Sequence, residues 1–237
     1  MTVVDCLINR SHNTDLLLHG FSCYEKSEAL LEDAHDNARH LIARSTNGLP
    51  FGHNTSIEIA SIHFLSTNKV ITERYYICPN HSDHYVHHSD DRIAVLSRGA
   101  HKNASIVEWV SAETHHAEVC CDICHHAVGI KLRFQHSPPL LVFSMPDSRT
   151  HINTTFDIVS VDSQVSMYTL LAVIYYADQH FTAQIVTRDG RIWYYDGLAP
   201  VNPDIQPTLK EVGSIHCRPD LQSCKGGRAT ATIYARL

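Results

Sequence analysis

Residues 168–197, YTLLAVIYYADQHFTAQIVTRDGRIWYYDG, predict a β-meander of three strands. Residues 170–176 are apolar or aromatic without interruption, which suits a strand that is buried on both faces. Residues 181–186 predict a second strand, and residues 192–195 predict a third strand after an Asp-Gly turn at 189–190. This meander is the part of the chain around which the remaining segments are arranged.

Two side chains with acid–base chemistry flank the meander. His180 stands at the start of the second strand and Asp196 at the end of the third, so antiparallel pairing can bring them side by side. An imidazole that is hydrogen-bonded to a carboxylate is held in one tautomer and is stabilised when it gains a proton, as the general base of a nucleophile requires. A surface histidine and an ordinary Asp-Gly turn fit the same spacing, so spacing alone leaves both interpretations open.

Three motifs in this stretch carry a family resemblance: Tyr-x-Leu-x-Ala-Val-Ile at 168–174, His-Phe-Thr-Ala at 180–183 and Trp-Tyr-Tyr-Asp at 193–196. Together they resemble the histidine box of ubiquitin-specific proteases, which are papain-like thiol proteases that cut after ubiquitin-type C-termini. The aromatic segment before the aspartate is one residue shorter than the commoner family pattern. The resemblance implies that His180 is the general base and that Asp196 orients it. The stretch ATATIYAR at 229–236 is similar to the closing strand of the family.

Composition and charge indicate a globular protein that does not bind nucleic acid. The chain has 237 residues, of which 43% are hydrophobic and 19% charged, and these values fit one well-buried domain over 1–237 with an inserted subregion. Its formal charge is −6 and it has no run of Lys and Arg, so the electrostatic footprint of a DNA or RNA binder is missing. The 19 histidines assign no function by themselves.

The sequence also predicts an intracellular protein, cytoplasmic or nuclear, that does not enter a membrane. No apolar run approaches the roughly 20 residues that span a bilayer, and the first residues lack a basic region followed by an apolar core. In that compartment the 8 cysteines are interpreted as thiols and metal ligands rather than as disulfides.

A candidate nucleophile begins the firmest predicted helix. Ser22-x-x-Glu25 is a capping-box pattern, and apolar residues at helical spacing predict a helix over about 23–45. Cys23 would lie in the first turn, where unpaired N–H groups and the helix dipole stabilise a thiolate. The stretch GFSCYEKS at 20–27 also resembles, loosely, the cysteine box of ubiquitin-specific proteases.

Two interpretations of Cys23 remain open. Phe21 stands where those proteases carry an Asn that donates to the oxyanion, and losing such a donor costs about two to three orders of magnitude in rate. The interval from Cys23 to His180 is also short for the family. The chain equally resembles the later part of divergent ubiquitin-specific-protease-like domains of fungal transposon-derived proteins, whose nucleophile lies further upstream. In that case Cys23 is an ordinary half-buried cysteine.

Two pairs of potential metal ligands predict a structural zinc site. A predicted strand over 72–78 leads into Cys78-x-x-His81, and Cys121-x-x-Cys124 follows much later. Two close-spaced ligand pairs on separate hairpins are typical of a tetrahedral zinc site. The alternative is a pair of buried thiols together with an exposed Cys-x-x-Cys.

The resemblance favours zinc, because many ubiquitin-specific proteases carry a four-ligand site on a β extension called the fingers. Here the extension would cover about 74–126, with Cys78, His81, Cys121 and Cys124 as the ligands and His81 in place of the usual cysteine. Residues 82–107 are expected to form an exposed loop at its tip. The register stays open, because several neighbouring side chains are able to substitute: His84, Cys120, His125 and His126.

The remaining segments complete the predicted sheet. Residues 127–133 and 140–144 predict two strands around a proline turn, and residues 152–161 alternate as a half-buried strand does. Three prolines after residue 197 indicate a surface loop. Lys225-Gly226-Gly227-Arg228 predicts a turn into the final strand.

Together these features predict an α+β, papain-like cysteine protease domain with a zinc-bearing β extension. The expected activity is hydrolysis by a thiol that removes ubiquitin or a ubiquitin-like modifier from proteins. The alternative is a catalytically inactive module that binds such a modifier or another protein. The expected partner is ubiquitin or a ubiquitin-like protein, and the expected cofactor is a structural Zn²⁺. Oligomeric state and linkage preference do not follow from the sequence.

Overall fold

The computed structural model describes residues 69–80, 85–92, 94–97, 105–112, 115–145, 150–178, 180–196, 208–217 and 220–237. All of them belong to one compact unit, Thr67–Leu237. The helix predicted over about 23–45, with Cys23 at its start, lies outside the described residues. The same holds for the proline-containing segment 197–207 and for two candidate ligands, His81 and His84.

The described elements are thirteen strands, one short α-helix and one 3-10 turn. In chain order they are β1 (Thr72–Ile77), β2 (Tyr85–Asp91), β3 (Val95–Ser97), α1 (Ile106–Ser111), β4 (His115–Cys120), β5 (Ala127–Phe134), β6 (Leu140–Ser144), β7 (Thr155–Val159), β8 (Val165–Ala177), β9 (His180–Val186), β10 (Arg191–Asp196), β11 (Thr208–Ser214), the 3-10 turn Ile215–Cys217, β12 (Ser223–Cys224) and β13 (Gly227–Arg236).

Most of these strands form a nine-stranded sheet that contains the predicted meander. Its order is β11-β10-β9-β8-β13-β6-β3, with β7 paired to β8 and β12 paired to β13. Neighbours are antiparallel except β3, which runs parallel to β6. The meander strands, the strand at 140–144 and the closing strand are thereby confirmed, and β7 shows the expected alternation of exposed and buried residues.

Large aromatic side chains form the core on the nine-stranded sheet. Tyr168 and Tyr234 are both 0% exposed, as is Leu141. The Phe143 ring makes edge contacts with Trp109 of α1 and with Tyr234, at centroid distances of 5.6 and 5.7 Å. Because each such ring removes a large apolar area from water, this sheet is stabilised mainly by hydrophobic burial.

The second sheet has four antiparallel strands in the order β2-β1-β5-β4. It contains the predicted strands at 72–78 and 127–133, which are confirmed as β1 and β5. Ile77 at the end of β1 pairs with Gly129 near the start of β5. This pairing brings the residues after β1 close to the turn between β4 and β5.

The prediction of an exposed loop over 82–107 is wrong for the described part of that range. β2 pairs with β1 in the small sheet, and β3 enters the large sheet, where Leu96 is 1% exposed. Helix α1 then begins after Ser105, which forms a capping box with Glu108. The polar composition of this segment predicts a loop, but composition does not determine its structure. Strand pairing and helix capping depend on individual residues instead.

The described part of the chain is therefore mostly β-sheet with little helix. The α+β prediction depends on the helix expected at 23–45, which is not described. No helix among the described residues is long and apolar enough to cross a membrane.

Candidate functional site

The β8–β9 hairpin places His180 at the rim of the nine-stranded sheet. Ala177 pairs with His180, so the chain reverses within two residues, and Asp178 takes a positive φ of 49° in the turn. Aspartate tolerates this backbone conformation better than most residues do. In the next pair of strands Asp196 lies opposite Thr182, so His180 is the diagonal neighbour of Asp196.

The two side chains meet as the sequence predicts. His180 Nε2 lies 2.6 Å from Asp196 Oδ1, and the side chains are 26% and 31% exposed. The distance is that of a charge-assisted hydrogen bond, and the partial exposure leaves the imidazole reachable from solvent. The ring is therefore oriented by the carboxylate through one nitrogen, which is the geometry of a histidine base and its orienting acid.

Tyr194 is a third member of this arrangement, and the sequence reasoning missed it. Its hydroxyl donates to Asp196 Oδ2 at 3.3 Å. Burial raises the pKa of Tyr194, a hydrogen bond from Thr182 opposes the shift, and the charge of Asp196 raises it further, so the hydroxyl remains a donor at neutral pH. The signal that could have found it is the two-residue period of a strand, which puts Tyr194 and Asp196 on the same face.

Three cysteines form a separate cluster in the small sheet. The sulfur atoms of Cys78, Cys121 and Cys124 all lie within 4.8 Å of one another, and Cys78 and Cys124 are 3.3 Å apart. All three are reduced cysteines. Tetrahedral zinc with Zn–S bonds of about 2.3 Å would separate its sulfurs by about 3.8 Å, so this donor set fits the ion.

Local backbone structure explains how the cluster forms. Cys78 directly follows β1, and the Cys-x-x-Cys pair occupies the turn between β4 and β5. In that turn the His125 N–H donates to the Cys121 carbonyl at 2.8 Å, and the Cys121 N–H donates to the His126 carbonyl at 2.9 Å. His125 has a positive φ of 57°. This tight turn points both cysteines of the pair toward Cys78.

Among the described residues, the structure leaves some of the possible zinc ligands out of the cysteine cluster. Cys120 is exposed, and neither it nor His125 nor His126 belongs to the group of metal-ligating atoms around Cys78. The predicted fourth ligand, His81, and its possible substitute His84 lie outside the described residues. Three of the four predicted ligands are therefore brought together.

The electrostatics of the cluster also suit a cation. A backbone hydrogen bond at His126 lowers the pKa of the Cys124 thiol, but the neighbouring Cys78 and Cys121 thiols and burial raise it, so the net shift is upward. Thiols this close resist ionising together, because each thiolate repels the next. A bound Zn²⁺ would reverse this balance and stabilise the thiolates.

Comparisons with known proteins give a distant structural likeness and nothing closer. No family model matches the chain. No curated protein matches it. A chain of the SAGA DUB module of Ubp8, Sgf11, Sus1 and Sgf73 bound to monoubiquitin is similar, at 12% identity and a TM-score of 0.47, with 86% of this chain and 48% of that chain covered.

Two related structures show the same level of likeness. The same module bound to ubiquitin aldehyde has 12% identity and a TM-score of 0.46, with 86% of this chain and 49% of that chain covered. A yeast SAGA DUB module also has 12% identity and a TM-score of 0.46, with 86% and 50% covered. The chain thus spans about half the length of the solved chains it resembles.

Proposed function

We propose that this protein is a thiol-dependent hydrolase that removes ubiquitin or a ubiquitin-like modifier from other proteins, on an α+β papain-like fold. The observation that carries the proposal is the 2.6 Å contact between His180 Nε2 and Asp196 Oδ1. Because the carboxylate occupies Nε2, Nδ1 is the ring nitrogen that accepts the proton of a thiol. The histidine-box resemblance of the same segment supports the choice of substrate.

The chemistry follows from these roles. A cysteine thiolate attacks the carbonyl carbon of the C-terminal glycine of the modifier, and His180 holds the proton that the thiol has lost. His180 then passes this proton to the leaving amine, which leaves an acyl-enzyme thioester. Water, deprotonated by His180, hydrolyses the thioester and restores the thiol. Asp196 stabilises the imidazolium that forms in each half of the cycle.

Cys23 is the nucleophile that this chain offers. Its predicted position in the first turn of a helix would lower the pKa of its thiol. The resemblance to domains whose nucleophile lies further upstream is the competing assignment. Four of the six described cysteines are less suitable, because three form the candidate metal cluster and Cys224 is buried against Gln184.

The cysteine cluster has a structural part in this proposal. Cys78, Cys121 and Cys124, with His81 as the fourth ligand, would hold one Zn²⁺ that fixes the end of the small sheet. With four protein ligands the ion has no open position for a substrate. Hydrolysis therefore depends on the thiol and on His180.

Labelling with ubiquitin that carries a C-terminal electrophile tests the proposal. We expect a covalent adduct on the full chain, mapped to Cys23 by mass spectrometry and lost in Cys23→Ser. His180→Gln should slow adduct formation, while Cys217→Ser, which changes an exposed cysteine, should leave it unchanged. Absence of any adduct would overturn the assignment of this chain as a complete thiol hydrolase.

The second candidate function is a catalytically inactive module that binds ubiquitin or a ubiquitin-like protein. The observation that favours it is Phe21, which replaces the expected oxyanion donor. Reversible binding of unmodified ubiquitin, together with no adduct from the electrophile, is the result that this function predicts.

A further inference from the structure

A short segment near the end of the chain contacts β8, β9 and β10, three neighbouring strands of the sheet that carries His180 and Asp196. The Leu221 carbonyl accepts from the Tyr175 hydroxyl of β8 at 3.0 Å, and Cys224 Sγ accepts from the Gln184 amide of β9 at 3.0 Å. The Lys225 ammonium lies 3.7 Å from the centre of the Tyr194 ring of β10. We call residues 221–227 the clasp segment.

The contact with β9 is buried and hydrogen-bonded. Gln184 is 0% exposed, and it also accepts from the Tyr175 hydroxyl at 2.9 Å, so its amide bonds to both neighbouring elements. A buried amide that lost these partners would carry a large desolvation cost. The clasp segment is therefore fixed in position on the face of the sheet that carries His180.

The turn at the end of the clasp segment places Lys225 over the Tyr194 ring. Cys224 pairs with Gly227, and the two residues between them have positive φ values, 46° for Lys225 and 83° for Gly226. This is the backbone of a two-residue type I′ hairpin turn, which Lys adopts less readily than Gly or Asn. A Cβ at Gly227 would lie 3.1 Å from Tyr175 Cβ, so glycine lets the turn sit directly against β8.

We propose that Lys225 is a positioning residue for the His180–Asp196 pair and acts through Tyr194, an inference that rests on the proposed function. The ammonium lies against the buried Tyr194 ring and fixes it by a cation–π contact. The Tyr194 hydroxyl, held in place, donates to Asp196 Oδ2, while Oδ1 bonds to His180 Nε2. The clasp segment thus sets the direction in which the imidazole points.

The order parameter of the His180 ring, from ¹³C relaxation of labelled histidine in the full chain, tests this. Wild type should give a value typical of rigid backbone, about 0.85, and Lys225→Met and Tyr194→Phe should lower it to below about 0.6. Lys225→Arg keeps a cation on the ring and should preserve the wild-type value. His180→Gln assigns the signal, and amide spectra verify that each variant is folded.

Lys210→Met is the matched control. Lys210 lies opposite Tyr194 on β11 and carries the same charge as Lys225. If the contact of Lys225 with the Tyr194 ring is what matters, Lys210→Met should leave the order parameter of the His180 ring unchanged. An unchanged order parameter in folded Lys225→Met, or an equal drop in Lys210→Met, would overturn the inference. The measurement needs neither a nucleophile nor a substrate, so its result is independent of whether the chain forms an adduct with ubiquitin.

Discussion

The described buried residues of the two sheets differ in kind. The nine-stranded sheet buries Tyr168, Leu141 and Tyr234 completely and joins its aromatic rings by edge contacts. At the end of the four-stranded sheet, the described side chains that are buried together are Cys78, Cys121 and Val128, with two partly buried neighbours, Tyr76 and Cys124. Three of those five residues are the candidate metal ligands.

The two regions therefore differ in what stabilises their folded structure. Aromatic burial is available to the chain alone, so the sheet that carries His180 and Asp196 needs no cofactor for its shape. Zinc held by the three cysteines would stabilise the end of the four-stranded sheet, as metal binding does in small zinc-bound folds. The two regions should therefore respond to different mutations.

The largest effect is expected from removing a metal ligand. Cys121→Ser should abolish the binding of about one zinc per molecule and remove hydrogen-exchange protection from β1 and β5, because structural zinc contributes about 10 kcal/mol or more in small sites. Protection of β8 and β13 should persist. Elemental analysis and amide hydrogen exchange measure both outcomes.

Cys120→Ser is the matched control, since it alters the exposed cysteine next to Cys121. Equal zinc content in the two variants would contradict the assignment of Cys121 as a ligand. Loss of protection throughout the nine-stranded sheet in Cys121→Ser would contradict the separation of the two regions.

The next largest effect concerns the proposed catalytic pair, His180 and Asp196. Asp196→Asn should lower kcat toward a ubiquitin C-terminal ester or amide by about 10⁴-fold, roughly 5.5 kcal/mol, because the amide no longer stabilises the imidazolium or selects its tautomer. Asp189→Asn, in the turn of the adjacent hairpin, should leave turnover unchanged. Similar rates for Asp196→Asn and wild type would show that His180 is not oriented by Asp196.

A smaller effect is expected in the core of the large sheet. Leu141→Ala should destabilise the protein by about 2–5 kcal/mol, because Leu141 is 0% exposed and its truncation leaves a cavity. The zinc content should not change. Denaturant unfolding gives the first quantity and elemental analysis the second, and loss of zinc in this variant would argue that the two regions are not independent.

The smallest effect belongs to a surface carboxylate. A hydrogen bond from Thr187 and contacts with Arg191 lower the pKa of Asp189 below its ordinary value. A depressed carboxyl pKa contributes stability that is present above the unfolded value, about 3.9, and is lost as the pH falls through the folded value. Asp189→Asn should thus be slightly less stable than wild type near neutral pH and equal to it in strong acid, as thermal unfolding at several pH values would show.

The sequence predicts those features that depend on local pattern. The apolar run at 170–176, the alternation at 152–161 and the turn before residue 227 correspond to β8, β7 and the β12–β13 hairpin, since hydrophobic period and turn chemistry are local properties. The meander allows His180 to lie beside Asp196, and the family resemblance of the same segment favours that pairing.

Other features depend on partners that are distant in the chain. β2 (Tyr85–Asp91) has no apolar alternation and exists because it pairs with β1, and β3 depends on β6. The Cys-x-x-Cys spacing predicts Cys121 as a ligand and leaves Cys120 as a possible substitute, and the structure groups Cys121 with Cys78 and Cys124. By contrast, the Ser105-x-x-Glu108 capping box is visible in the sequence and would have identified the start of α1.

The most direct test of the central claim is the tautomer of His180, read from ¹⁵N shifts of labelled histidine at a pH at which the ring is neutral. We expect a proton on Nε2, hydrogen-bonded to Asp196, and an unprotonated Nδ1, with that preference weakened in Asp196→Asn. A proton on Nδ1 in the wild-type protein, or a spectrum that Asp196→Asn does not alter, would contradict it.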